Sequence, residues 1–180
     1  MNFTLVALGL VKVAFGGAVA AVGILLAFRG LNRILGTDPV GDLRSGNTAA
    51  GLVHAASLLA LGLLVHNAVQ ATFDAVDLTF RAPPLPWGQV PRLFLFALLH
   101  VTVSLGVGTG VLGAGVLLFD RMTPGLDELA EVRRGNVACA LLLSAILVVL
   151  ALLTGPGLQA ALDGLIPFPH LPPNTYVSPR

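Results

Sequence analysis

The chain carries the sequence Gly46-Asn47-Thr48-Ala49-Ala50 before one long apolar run and Gly135-Asn136-Val137-Ala138-Cys139 before another. Aligning 47–76 with 136–165 without gaps gives 11 identities in 30 residue pairs. Leucine and alanine matches are common in apolar sequence, but paired Gly-Asn motifs at one spacing are not. We interpret the two segments as copies of one unit, and this repeat predicts the architecture.

Composition places the chain in a membrane. Hydrophobic residues make up 56% of its 180 residues and charged residues 11%, whereas soluble domains carry about 25% charged residues. Four stretches reach the roughly 20 residues needed to cross a bilayer, near 3–28, 48–72, 93–119 and 137–155. Lys12 interrupts the first run and no basic segment precedes it, so we interpret that run as a retained span rather than a cleaved signal peptide.

Two spans per unit give both units the same orientation in the membrane. The predicted fold is an all-α membrane protein whose four transmembrane helices form two parallel tandem hairpins, packed as a bundle. The first hairpin covers 1–76 and the second covers 93–165, with a proline-rich outer loop at 77–92 and a proline-rich tail at 166–180.

Arginines predict the orientation. The loops 29–47 and 120–136 each hold three arginines, and the opposite side holds three in all. Since basic residues favour the cytoplasmic side, we expect both loops in the cytoplasm and both termini outside.

The second of these loops predicts a short surface helix. Thr123-Pro124 is typical of a helix start, and Gly135 is placed to end the helix after Arg133 and Arg134. The first loop repeats the pattern more weakly through Thr37-Asp38-Pro39.

Asn47 and Asn136 support two hypotheses. Each can cap the helix that follows by accepting a hydrogen bond from an unpaired backbone N–H. Alternatively, the two asparagines meet near the axis between the repeats and line a polar path.

Four ionisable residues fall inside the predicted spans: Lys12, His54, His66 and His100. Such residues commonly face the bundle interior or water, and histidine titrates near neutral pH, so a proton or ion pathway is one hypothesis. The alternative is that Lys12 reaches the outer surface and the histidines bind backbone groups or interfacial water. The absence of a carboxylate near any span centre weakens the case for a proton pump.

Two further sets of residues have positions that suggest roles. The outer ends of the second and fourth spans carry the matched residues Gln70, Asp74, Gln159 and Asp163, which can cap the helix exits or attract cations. Gly106 and Gly110 form a GxxxG pair in the third span, for which we favour packing within the bundle over a dedicated dimer face.

Several classes of function find little support. The net charge is +1 without a basic face, so we expect no nucleic acid partner. Cys139 is the one cysteine, and the scattered histidines make a poor metal site. No nucleophile–base pair, phosphate loop or haem motif occurs, so we expect no catalytic residues, no cofactor and no enzyme activity.

The paired motifs also carry a family resemblance. Through Ser45-Gly46-Asn47-Thr48-Ala49-Ala50 and Gly135-Asn136-Val137-Ala138-Cys139-Ala140 the chain resembles the YjfL-like family of bacterial inner-membrane proteins, a domain of unknown function. The resemblance extends from the first span to about residue 165. It implies four spans in a bacterial inner membrane and supplies no activity or catalytic residue.

Two functional hypotheses follow. The first is a membrane component that passes a small solute or ion. The second is a non-catalytic scaffold or stress-response component, whose cytoplasmic loops recruit a peripheral protein. Both have the lipid bilayer as a partner, and in both we expect the protein to form homo-oligomers.

Overall fold

The computed structural model describes residues 3–35, 38–80, 88, 90–122, 124–125 and 127–165. Within these ranges the chain forms six helices and no strand: α1 (Phe3–Leu35), α2 (Pro39–Arg44), α3 (Thr48–Phe80), α4 (Val90–Met122), α5 (Glu128–Arg133) and α6 (Val137–Leu165). Four of them are long and apolar enough to cross a membrane. The protein is therefore an all-α, multi-pass membrane protein. The proline-rich stretch 83–87 and the tail 166–180 lie outside the described residues.

The long helices extend beyond the predicted spans. α1, α3 and α4 each have 33 residues, and a helix of that length is about 50 Å long against a hydrocarbon core of about 30 Å. The fourth span was expected to end at residue 155, but α6 passes through Pro156 and continues to Leu165. Because proline has no N–H, the carbonyl of Leu152 loses its helical partner at that point.

α3 is the central helix of the bundle. In its apolar window, Thr48–Asp74, 56% of the residues are buried, against 11% in the Gly9–Leu26 window of α1. α3 packs most extensively against α6, then against α4 and α1. Small side chains make the closest approach possible: buried alanines face this core from α3 and α6, among them Ala49, Ala60, Ala68, Ala140 and Ala151.

Two other glycines of α4, not the predicted pair, allow close packing inside the bundle. A Cβ at Gly108 would lie 2.5 Å from Leu61 Cδ2, and one at Gly115 would lie 2.5 Å from Leu147 Cδ2. Gly106 and Gly110 are exposed, with open space at the Cβ position. The favoured expectation that they pack within the bundle is corrected, because a turn of 100° per residue puts them on the opposite face of α4.

The short helix of the second loop begins later than predicted. Pro124 and Gly125 form a turn in which Gly125 has φ +97°, and α5 starts at Glu128 after the cap Asp127. Val132 of α5 is buried in the core. α5 therefore packs onto the end of the bundle instead of only lying on the membrane surface.

Candidate functional site

The two loop helices begin with equivalent caps. Asp38 Oδ1 accepts a hydrogen bond of 3.2 Å from Val40 N at the start of α2, and Asp127 Oδ1 accepts one of 2.9 Å from Ala130 N at the start of α5. Each aspartate satisfies a backbone donor that the first turn leaves unpaired. These caps lie 89 positions apart, the same separation as Asn47 and Asn136.

Both loop helices also end in the same turn. Gly46 has φ +70° and Gly135 has φ +90°, a conformation that glycine adopts without a Cβ clash. Asn47 N donates to Asp42 O at 2.9 Å, and Asn136 N donates to Glu131 O at 2.9 Å. These bonds, with those from the glycine N–H groups, make a Schellman turn that satisfies the last carbonyls of each loop helix.

The asparagine after each turn accepts hydrogen bonds from the next helix. Asn47 Oδ1 accepts from Ala50 N at 3.1 Å in the first turn of α3. Asn136 Oδ1 accepts from Ala138 N at 3.1 Å and Cys139 N at 3.3 Å in the first turn of α6. One short segment thus ends a loop helix and starts a long one, which fixes the angle between them.

The amide groups of the two asparagines have different partners. Asn47 Nδ2 donates to Arg133 O at 2.9 Å and Val132 O at 3.3 Å, so it reaches across to the end of α5. Asn136 Nδ2 stays within its own loop and donates to Glu131 Oε2 at 3.1 Å. The first asparagine therefore links the two loops, and the second stabilises one of them.

Glu131 organises the second loop. Its carboxylate also accepts a hydrogen bond of 2.7 Å from the Arg134 guanidinium. The hydrogen bonds from Asn136 and then Arg134 lower the pKa of the Glu131 carboxyl below its ordinary value of 4.5. Sequence reasoning missed this residue, although a glutamate five positions before a capping asparagine was a visible signal.

The equivalent position in the first loop is Asp42, and its surroundings differ. Its Oδ2 is buried with no hydrogen-bond partner among the described residues. Asp42 and Asn47 line an open pocket of about 370 Å³ with the first turns of α3. The two loops have the same backbone turn. The Glu131 carboxylate accepts hydrogen bonds, whereas Asp42 Oδ2 has no partner among the described residues.

Two of the intramembrane histidines are buried against backbone carbonyls. His54 Nδ1 lies 2.7 Å from Ala50 O in its own helix. His100 has Nδ1 2.6 Å from Phe96 O and Nε2 3.2 Å from Leu162 O. Leu162 is in the last turn of α6, where the helix leaves its carbonyls unpaired, so His100 ties α4 to the end of α6.

The other two ionisable residues lie elsewhere. Lys12 Nζ lies 5.3 Å from the centre of the Phe73 ring, a cation–π geometry between α1 and α3. His66 is exposed and faces a groove between the same helices. The structure thus places His54 and His100 in separate buried surroundings, whereas Lys12 and His66 both lie along the α1–α3 interface.

The matched polar residues at the far ends of α3 and α6 lie mostly outside the core. Gln70, Asp74 and Gln159 are exposed, and Asp163 is half-buried. Asn67, which sequence reasoning did not single out, lies about one turn before Gln70 on α3 and donates from Nδ2 to Gly155 O at 3.4 Å. Glycine at 155 leaves room for this amide, because a Cβ there would lie 3.2 Å from Asn67 Nδ2.

The chemistry that this arrangement supports is binding and positioning. Within the described residues, no group of three or more histidine, cysteine or acidic side chains is arranged to hold a metal ion. The polar groups at the loop end mainly bind backbone N–H and C=O groups, which joins the two loops to each other and to the start of α3.

Comparison with known proteins bears on the second half of the chain. Residues 92–166 match the family model described as Domain of Unknown Function (DUF350). The matched segment holds α4, α5 and α6 and the second Gly-Asn start, and it covers 75 of the 180 residues. The comparisons with curated proteins and with solved structures each gave no match. The match supports a membrane protein of unknown activity.

Proposed function

We propose that this protein is a non-catalytic membrane scaffold, on which α2 and α5 form a docking platform for a peripheral protein. The observation that carries the proposal is the hydrogen bond from Asn47 Nδ2 to Arg133 O, which joins the two loops. A platform of this kind presents fixed side chains, and Arg44, Arg133 and Arg134 are exposed on it. An acidic surface on the partner fits these guanidinium groups.

The conduit hypothesis has less support. A pathway needs polar groups that share one hydrated space, whereas His54 and His100 bind separate carbonyls and His66 faces a groove. Flux of protons and common ions through proteoliposomes, compared with empty vesicles over a range of pH, tests conduction directly. A flux that depends on His54 or His100 would support the conduit hypothesis and would contradict a purely structural role for these histidines.

We also propose two parallel tandem hairpins in a bacterial inner membrane, with the loops in the cytoplasm and both termini outside. Repetition of the Schellman turn and of the helix caps at a separation of 89 residues supports the hairpins. Six exposed arginines in the segments around α2 and α5 support the orientation: Arg29, Arg33, Arg44, Arg121, Arg133 and Arg134.

Self-association is a further part of the proposal. Gly106 and Gly110 lie on the outward face of α4, where a second copy can approach closely. Asp120 and Arg121 are exposed at the end of this helix, on either side of that face. Two copies with the same membrane orientation can therefore set the acidic group of one across from the basic group of the other.

Charge reversal tests the platform. The double variant Arg44→Glu/Arg133→Glu should lose a partner that is cross-linked to the wild-type protein in intact membranes. Arg92→Glu, which changes an exposed arginine on α4 at the end opposite the platform, serves as the matched control. If both variants retain the partner, or both lose it, docking on the α2–α5 surface is wrong.

A further inference from the structure

A groove of about 490 Å³ runs between α1 and α3 and is open along one side. It exists because the facing positions lack large side chains, chiefly Gly16, Ala20 and Gly23 on α1 and Gly62 on α3. His66 is the one polar side chain in an otherwise apolar lining. Its volume falls within the range of roughly 300–1,000 Å³ of small-ligand sites.

The length of the groove corresponds to one leaflet of the bilayer. Its lining runs from Gly16 to Ile24 on α1 and from Leu58 to Val69 on α3. At 1.5 Å per residue these segments are about 12 Å and about 17 Å long. Half of a hydrocarbon core of about 30 Å is about 15 Å, which an acyl chain of one leaflet crosses.

A cation lies one helical turn beyond the Gly16 end of the groove. Lys12 precedes Gly16 by one helical turn and therefore lies on the same face of α1. Its Nζ lies 5.3 Å from the centre of the Phe73 ring, and Phe15 packs edge-on against that ring at a centroid distance of 6.2 Å. Phe73 is next to the end of the apolar window of α3, which closes at Asp74. The ammonium thus lies near the membrane surface, where lipid headgroups are.

We propose that this groove binds a phospholipid, with one acyl chain along α1 and α3 and the phosphate on the ammonium of Lys12. The site goes beyond the scaffold proposed above and does not depend on it. Attraction between the lysine and a phosphate supplies the charge complementarity, and the apolar lining supplies the contacts for the chain.

A helix of a second copy fits this groove less well than a lipid chain. A helix with its side chains is about 10–12 Å wide. The contacts of Lys12 and Phe15 with Phe73 lie just beyond the Gly16 end of the groove. A thin acyl chain can lie along the groove with its headgroup beside Lys12.

The test is native mass spectrometry of the full-length protein in detergent, with added phosphatidylglycerol, phosphatidylethanolamine or diacylglycerol of identical acyl chains. We expect both phospholipids to be retained and diacylglycerol to bind about tenfold more weakly, because it has no phosphate. Lys12→Gln should remove this preference. Arg92→Gln is the matched control, since Arg92 also lies over an aromatic ring, Phe96, and lines no part of the groove.

Filling the groove tests the acyl chain separately. Gly23→Leu has open space at its Cβ and should lower phospholipid retention by about tenfold, by displacing two or more methylenes. Gly17→Leu also has open space, lies on the same helix outside the groove, and should leave retention unchanged. If Gly23→Leu fails to fold, as judged by helicity, Gly62→Leu fills the groove from α3.

The proposal is overturned by any of three results. In the first, diacylglycerol and phospholipids bind equally well. In the second, the groove and control glycine variants lose lipid to the same extent. In the third, the groove variants change the oligomeric state and not lipid retention, which would assign the groove to a second copy.

Discussion

Asn47 Nδ2 lies 2.9 Å from the carbonyl oxygen of Arg133, 86 positions further along the chain. One amide at the start of α3 thus satisfies a carbonyl that α5 leaves unpaired at its end. The same asparagine caps α3 through its Oδ1. Removing it should therefore disturb two elements at once.

Asn47→Ala should lower the free energy of unfolding more than Asn136→Ala does. Both variants lose a cap, which costs about 1–2 kcal/mol. The first also leaves the carbonyl of Arg133 without this donor, a further cost of about 1 kcal/mol, whereas the second removes one of the two hydrogen bonds to the Glu131 carboxylate, which keeps the bond from Arg134. Asn47→Asp keeps the capping oxygen and loses the donor, so it should fall between wild type and Asn47→Ala. Denaturant unfolding in micelles measures the order; equal losses in both alanine variants would contradict the link between loops.

Gly46→Ala and Gly135→Ala should each destabilise the fold. Their positive φ values place a Cβ against the backbone, at a cost of about 1–2 kcal/mol. Gly51→Ala in α3 is the control, because its Cβ position is open and alanine favours a helix. Thermal unfolding should give Gly51→Ala a melting temperature at or above that of wild type. A loss of stability in Gly51→Ala as large as in the other two variants would show that the positive φ is not the cause.

Glu131→Gln should lower stability at neutral pH, and the difference from wild type should disappear in acid. The folded-state pKa of Glu131 is depressed below 4.5, so its contribution is full above that pH and is lost as the pH falls through the folded value. Asp120→Asn is the control, because Asp120 is an exposed acidic residue at the same end of the bundle. A difference that persists unchanged at low pH would mean that the carboxylate charge is not what stabilises the loop.

The two glycine faces of α4 should respond differently to substitution. Gly108→Ala forces Leu61 to move and should cost about 1–3 kcal/mol. Gly106→Ala meets open space and should be neutral or gain up to about 1 kcal/mol. The free energies of unfolding of Gly108→Ala and Gly106→Ala show which glycine face of α4 packs inside the bundle.

The outward face can be tested for self-association. Gly106→Leu and Gly110→Leu should reduce the fraction of dimers measured by sedimentation in detergent, because they prevent close approach of two α4 helices. Gly157→Leu, at an exposed position of α6 with open space, should not. Unchanged dimer fractions in all three variants would place any oligomer contact elsewhere.

Replacing His66 and His100 with leucine should separate their roles. His100→Leu removes the polar contacts of the buried ring with Phe96 O and Leu162 O and should cost about 1–3 kcal/mol. His66→Leu changes an exposed side chain and should stay within about 0.5 kcal/mol. Comparable losses in the two variants would argue that His100 stabilises through packing alone.

Sequence patterns predicted the four long helices and the starts of α3 and α6, because apolar length and Gly-Asn junctions are local signals. The rotation of each helix about its own axis depends on the helices packed against it, so a local sequence pattern does not predict it. The five glycines in 106–115 lie on several faces of α4, and the one GxxxG pair among them, Gly106 and Gly110, faces outward; only packing against Leu61 and Leu147 selects Gly108 and Gly115. The partners of Asn67 and His100 lie 88 and 62 residues away, so no spacing within one helix indicates them. The start of α5 was misplaced because Thr123-Pro124 resembles a cap as closely as Asp127 does.

The central position of α3 has a consequence for biosynthesis. α3 is synthesised before both of the helices that cover it most, α4 and α6. Until the second half of the chain has been made, Ala49, Ala60 and Ala68 lack neighbours that bury them, and the amide of Asn47 lacks the acceptor that Arg133 supplies. The buried face of α3 is therefore completed only by translation of the second half.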